Sequence, residues 1–240
     1  CHRRADVGRE RHLKSSGTLK STRRLNGASL LRPSLGRTHG EHGGFEMDLV
    51  RSKVLVMGPK RCGKTRIANF LAKHDEAPNF AAYTPTKGTR ILEFEESVQT
   101  GKRSVTAACE LWDCSGDRQY EGCWPAILRD VHGVVLVYDP TIKEQEKDIE
   151  MWYKSYTARL GLKESQILLF AHTASAPGGR STYQAPRALD KFKFLNTTLD
   201  NEDVSRAMRE TFTKFLGSVA AAAMDKSSAD MDASLQDALG

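Results

Sequence analysis

Gly58-Pro59-Lys60-Arg61-Cys62-Gly63-Lys64-Thr65 places two glycines, a lysine and a hydroxyl at the spacing G-x-x-x-x-G-K-[ST]. That spacing suits phosphate chemistry. A glycine-rich loop exposes backbone N–H groups, and a helix that follows adds the positive end of its dipole. Lys64 would reach the β- and γ-phosphates of a nucleotide, and Thr65 would offer its hydroxyl to Mg2+. Gly58, Pro59, Lys60, Arg61, Cys62, Gly63 and the helical Arg66 complete the expected cradle. These residues alone point to a nucleoside di- or triphosphate.

Such a loop works only between a strand and a helix. Val54-Leu55-Val56-Met57 is an apolar run of β type, predicting a strand over 53–57, and a helical pattern follows over 64–74. Residues 90–95 and 104–112 read as an antiparallel pair turning near Gly101. A short helix is expected over 124–130. The continuous apolar run 133–138 predicts a central parallel strand. Ile149, Trp152, Tyr153, Tyr156 and Leu160 recur at helical spacing within 142–160, as a core-packing stripe. Further strands are expected at 166–170 and 192–195, with a Ser, Pro and Gly rich loop over 173–187 between them. Val204, Met208, Phe212, Phe215 and Val219 mark the inner face of a last helix. The alternation predicts an α/β three-layer sandwich, with ligands at the carboxyl ends of its strands.

Composition narrows the function classes. The net charge is +6, yet residues 1–44 carry ten Lys/Arg against three Asp/Glu, so the rest is nearly neutral. A nucleic-acid-binding domain is therefore not expected. Residues 1–46 read as a disordered, dispensable basic extension, 47–223 as the nucleotide-binding domain and 224–240 as a flexible acidic tail. The five cysteines lack paired metal-ligand spacing. No C-a-a-X motif is present, so a direct lipid anchor is not expected.

Two further segments carry chemistry by resemblance. Leu111-Trp112-Asp113-Cys114-Ser115-Gly116 resembles the D-x-x-G segment of small GTPases. There Asp113 would hold Mg2+, and the Gly116 N–H would bond the γ-phosphate. Tyr83-Thr84-Pro85-Thr86 resembles the first switch, where Thr86 would meet both Mg2+ and the γ-phosphate. With Cys123-Trp124-Pro125-Ala126 and Glu150-Met151-Trp152-Tyr153, the chain is similar to the Rab-like small GTPase family of the intraflagellar transport B complex. The resemblance runs from about Met47 to the last helix. It implies a P-loop NTPase with a Ras-like αβα sandwich and a mostly parallel sheet. It also implies GTP or GDP with Mg2+, a protein monomeric on its own, and docking on coiled-coil subunits of the transport core. Its implied location is the cilium or flagellum and the basal body, with a cytoplasmic pool.

Three departures bear on mechanism. Asp117 stands where small GTPases usually place the Gln that orients the attacking water. A carboxylate there repels the γ-phosphate and lacks an amide donor, so Asp117 is a degenerate catalytic position beside the catalytic Lys64, and hydrolysis is expected to be slow. Lys60 replaces a common glycine; it crowds the catalytic space, points to solvent, or offsets the charge of Asp117. After the fifth strand, Ala171-His172-Thr173-Ala174-Ser175 replaces the guanine-reading N-K-x-D segment. His172 and Thr173 are expected near the base, as are Thr197 and Thr198 of the segment Asn196-Thr197-Thr198. A GTPase switch completed by a partner, a P-loop ATPase or kinase, and a basic membrane or nucleic-acid module are the alternatives.

Overall fold

The computed structural model describes residues 49–73, 84–174 and 182–239. Six strands form one sheet in the order β2-β3-β1-β4-β5-β6. β1 spans Leu49–Met57, β2 Thr89–Thr100, β3 Arg103–Cys114, β4 Gly133–Tyr138, β5 Ile167–His172 and β6 Lys193–Thr197. The edge pair β2–β3 is antiparallel, and every other pairing is parallel. The helices are α1 (Lys64–Leu71), α2 (Trp124–Ile127), α3 (Lys143–Trp152) and α4 (Glu202–Leu239). The Ras-like sandwich expected from the sequence is the fold observed.

The β1 run explains the three layers. Successive strand side chains point to opposite faces. Val54 and Val56 pack with Ile67 and Leu71 of α1 and with Phe212 and Val219 of α4. Leu55 and Met57 pack on the other face with Trp124, Ile149 and Trp152. With both faces covered, β4 and β5 are buried at every position, as an all-apolar parallel strand requires.

Several elements differ from the sequence reading. β2 and β3 each run 12 residues, because their alternating burial continues into the Gly101 turn. α3 gives way after Trp152 to a π-helical turn, Tyr153–Thr157, closed by the Ala158 N–H on the Tyr153 carbonyl at 2.9 Å. The wider turn lets Trp152 and Tyr156 both meet Trp124, at ring-centroid distances of 5.2 and 4.8 Å. The aromatic stripe is thus core packing. Helix α4 also continues to Leu239, through the stretch expected as a tail from 224. Its last turns hold no Gly or Pro and several alanines, so helical propensity carries it past the final core contact at Met224.

Helix α1 ends at Leu71, short of the expected boundary near 74. Its last turn contains no basic residue. Arg209 of α4 supplies one from outside, donating to the Phe70 and Leu71 carbonyls and lying 4.3 Å over the Phe70 ring. A guanidinium placed there satisfies terminal carbonyls and complements the helix dipole. The phosphate-loop helix is therefore held at both ends.

Candidate functional site

The parallel register delivers the site. β1 runs into the loop at Gly58, and its Val56 is paired with Asp113 of β3. His172 ends β5 opposite Thr197 of β6. All three strand ends open on one cavity of about 720 Å³, within the ordinary range for small-molecule sites. Its wall includes Lys60 to Arg66, Thr86, Gly116, Asp117 and His172.

The loop is braced from inside. The Cys62 thiol, 1% exposed, donates to the Pro59 and Val137 carbonyls at 3.1 Å each. Burial pushes that thiol up, against the opposing pull of Lys64. Cys62 is therefore a brace of the loop rather than a nucleophile. The Lys64 ammonium is also buried. It donates to the Pro59 carbonyl and lies 3.6 Å from the Cys62 sulfur. Gly58 and Pro59 form the loop's base behind the cavity wall.

Three oxygen-bearing side chains, those of Thr65, Thr86 and Asp113, meet at the start of α1. The Thr65 hydroxyl lies 2.8 Å from that of Thr86, and the Thr86 hydroxyl donates to Asp113 Oδ2 at 3.2 Å. Asp113 is 0% exposed, and its Oδ1 has no hydrogen-bond partner among the described residues. Burial raises the Asp113 carboxyl above the usual carboxylate range, with Thr65 and the Arg90 guanidinium, 3.8 Å away, pulling it back. A buried carboxylate with an orphaned oxygen, beside two hydroxyls, is a donor set suited to a hard cation such as Mg2+. The sequence-based metal set Thr65, Thr86 and Asp113 is thus brought together. Tyr83 of the same switch segment lies outside the described residues.

The second switch segment lies against the loop. A Cβ on Gly116 would fall 2.6 Å from the Lys60 nitrogen and from the Pro59 carbonyl carbon, so only glycine permits this approach. Asp117 follows, and its Oδ2 is 2.7 Å from Lys60 Nζ. Gln119 donates its backbone N–H to Asp117 Oδ1 at 3.1 Å and its side-chain amide to Oδ2 at 3.0 Å. The Lys60 hydrogen bond, with the Gln119 N–H, holds the Asp117 carboxyl below the usual range. Of the three readings of Lys60, the structure combines two: its side chain is 57% exposed to solvent, and its ammonium is paired with Asp117. Sequence reasoning missed Gln145 of α3, which is 5% exposed. Its amide donates to the Lys60 carbonyl at 3.0 Å, and its oxygen accepts the Asp139 N–H at 2.9 Å. No motif marks Gln145; a glutamine in a helix's first turn reads as surface. Arg90 was missed for the same reason, since it looks like an exposed edge-strand charge.

At the far end, His172 is buried and its Nδ1 lies 3.1 Å from the Thr197 hydroxyl. That hydroxyl donates to the Ala171 carbonyl at 3.4 Å, so His172 Nδ1 is the donor and Nε2 is left as an acceptor. Nε2 has no partner among the described residues. The ring fills the space of a Cβ on Gly63, whose φ is 85°, with Cδ2 2.4 Å from that point. Burial is the main reason that the His172 pKa is lowered to about 4. Thr173, Thr197 and Thr198, expected near the base, are buried close to His172 and are not among the residues lining the cavity. The geometry explains this. The Thr197 hydroxyl is engaged by His172, the Thr198 hydroxyl accepts the Asp200 N–H at 3.3 Å, and Asn196 is bonded to Tyr183. Thr197 sets the His172 ring, which faces the cavity.

Fold and site together define a Ras-like GTPase domain, and residues 53–174 match the family model for Roc, the Ras of Complex domain of DAPkinase. The intraflagellar transport protein 22 homolog of Danio rerio is 40% identical over 174 residues, covering 71% of this chain and 91% of the relative. The chain belongs to the intraflagellar transport protein 22 family. Solved structures of the Trypanosoma brucei member are similar. The GTP-bound IFT22/74/81 complex gives a TM-score of 0.59 at 27% identity, over 73% of this chain and 98% of that one. The GDP-bound form gives 0.54 at 30% identity, over 70% and 96%.

Proposed function

We propose that the chain is a GTP- and GDP-binding subunit of the intraflagellar transport B complex, holding its nucleotide with Mg2+ and hydrolysing it slowly. The convergence of Thr65, Thr86 and Asp113 carries this reading, since two hydroxyls and one buried carboxylate meet where a Mg2+-bound phosphate chain would lie. Mg2+ at these residues would neutralise charge on the β- and γ-phosphates. Lys64 would exchange the Pro59 carbonyl for phosphate oxygens, and the loop N–H groups would bind the remaining oxygens. Guanine is favoured by the GTP- and GDP-bound structures of the Trypanosoma relative. With no carboxylate at 171–174, base selection would fall to His172 and backbone groups. Slow turnover is inferred from Asp117, whose carboxylate cannot donate to an attacking water as an amide would.

The Trypanosoma relative crystallised in its GTP-bound form together with IFT74 and IFT81, which supports docking on coiled-coil subunits of the transport core. In this reading the protein works as a single copy in the cilium or flagellum, with pools at the basal body and in the cytoplasm. Titration with labelled GDP, GTP and ATP, with and without Mg2+, tests the nucleotide half. Guanine nucleotides should bind more tightly than ATP, and Mg2+ should strengthen GTP binding. A preference for ATP would overturn it. Pull-down of Thr65→Asn and Thr86→Ala with the transport core tests the docking half; equal capture of both variants and wild type would mean docking independent of nucleotide.

A further inference from the structure

We propose that Lys60 is the residue that distinguishes a nucleoside triphosphate from a diphosphate, and that Asp117 holds it in place until a γ-phosphate takes over. The inference rests on the nucleotide reading above. Lys60 and Asp117 face the same cavity as Lys64, Thr65 and Gly116, at the end where the last phosphate of a bound chain would lie. Their ion pair is short, 2.7 Å, yet the side chains are 57% and 29% exposed. A pair this open to solvent contributes little to stability, so it can be exchanged at small cost. A phosphate carrying two negative charges is a better partner for an ammonium than one carboxylate is.

The Lys60 backbone does not wander. Gln145 holds its carbonyl at 3.0 Å, and Gly116 packs against its nitrogen. The side chain therefore starts from a fixed point and has two anionic partners within its reach, Asp117 and the incoming γ-phosphate. A diphosphate offers only the first. When Lys60 moves to phosphate, Asp117 keeps the two donors of Gln119, which limits the cost of losing the ammonium. The carboxylate still repels the γ-phosphate, so the two residues act on the triphosphate with opposite sign.

The test is the ratio of affinities for GDP and a non-hydrolysable GTP analogue, measured with Mg2+ by fluorescence titration. Lys60→Met should lower the preference for the triphosphate about three- to tenfold. Asp117→Asn should raise it by a similar factor. The double variant should return near the wild-type ratio. A circular dichroism spectrum and melting temperature close to wild type report an intact fold in each protein. Single variants that keep the wild-type ratio, or that shift it in the same direction, overturn the inference while leaving the nucleotide reading standing. A wild-type protein that binds neither nucleotide overturns both.

Discussion

The hydroxyls of Thr65 and Thr86, 21 residues apart in the chain, lie 2.8 Å from each other. Thr86 donates to Asp113, so a chain of hydroxyls leads from α1 to the buried carboxylate. The first switch threonine is thus held by the same groups that would share a cation with it. Without that cation, the arrangement leaves a carboxylate buried with one oxygen unsatisfied, a costly state for an ionised group.

Asp113→Asn should therefore separate stability from binding. The Asp113 carboxyl is raised by burial, so its contribution to the nucleotide-free protein is favourable at low pH and lost as pH rises through the elevated value. At neutral pH the Asn variant should melt no lower than wild type, and that advantage should shrink as pH falls through the elevated value. Mg2+ enhancement of GTP affinity should fall at least about tenfold. Calorimetric melts across pH, paired with titrations with and without Mg2+, read both effects; a destabilised variant that keeps its Mg2+ dependence would contradict the assignment.

His172 predicts a separate pH dependence. Its pKa is lowered to about 4 in the folded protein from an ordinary value near 6.5. The unfolded chain then binds the extra proton between those values, so stability is lost as pH falls from about 6.5 towards 4. The loss is about 3 kcal/mol at most. His172→Asn should flatten this part of the curve. Urea midpoints from pH 7 to about 4 make the comparison, and parallel curves for the two proteins would show that His172 does not titrate in that window.

Asp117→Gln should speed hydrolysis. The variant places an amide where Asp117 now holds a carboxylate, removing one negative charge and adding an N–H donor. Single-turnover hydrolysis of pre-bound GTP should rise about tenfold or more. A wild type that is already fast, with a Gln variant no faster, would remove the basis for slow turnover.

Arg209→Ala tests the brace on α1. It deletes the donor to the Phe70 and Leu71 carbonyls and the contact over the Phe70 ring. Stability should fall by about 1–2 kcal/mol in chemical denaturation. The loss should be the same in saturating nucleotide if binding is unchanged, and larger if the variant also binds more weakly, because ligand adds its own stabilisation by mass action.

Much of the sheet is legible in the sequence because its strands are short apolar runs with an unambiguous partner class. The run 133–138 predicts a strand with the bounds observed. The phosphate loop and the Thr65, Thr86, Asp113 set are legible because each sits in a motif at a strand end. Three things are not. The π turn after Trp152 depends on where Trp124 lies, a tertiary contact that local periodicity does not encode. Gln145 acts through a backbone carbonyl 85 residues away. The hydrogen bond of Thr197 to His172 escapes a sequence reading because a hydroxyl at the last strand looks free to face a base. The β5–β6 register instead puts Thr197 against His172.

Trp124 is 3% exposed and wedged between Trp152 and Tyr156, directly after the 3-10 segment Arg118–Cys123. The second switch is therefore a tether with one end moored. Rearrangement that starts at Gly116 has residues 117–123 in which to die out before it meets three packed aromatic rings. The moored end also lies beside α3, so a partner gripping the outer surface of that helix would feel the tether's tension without touching the nucleotide.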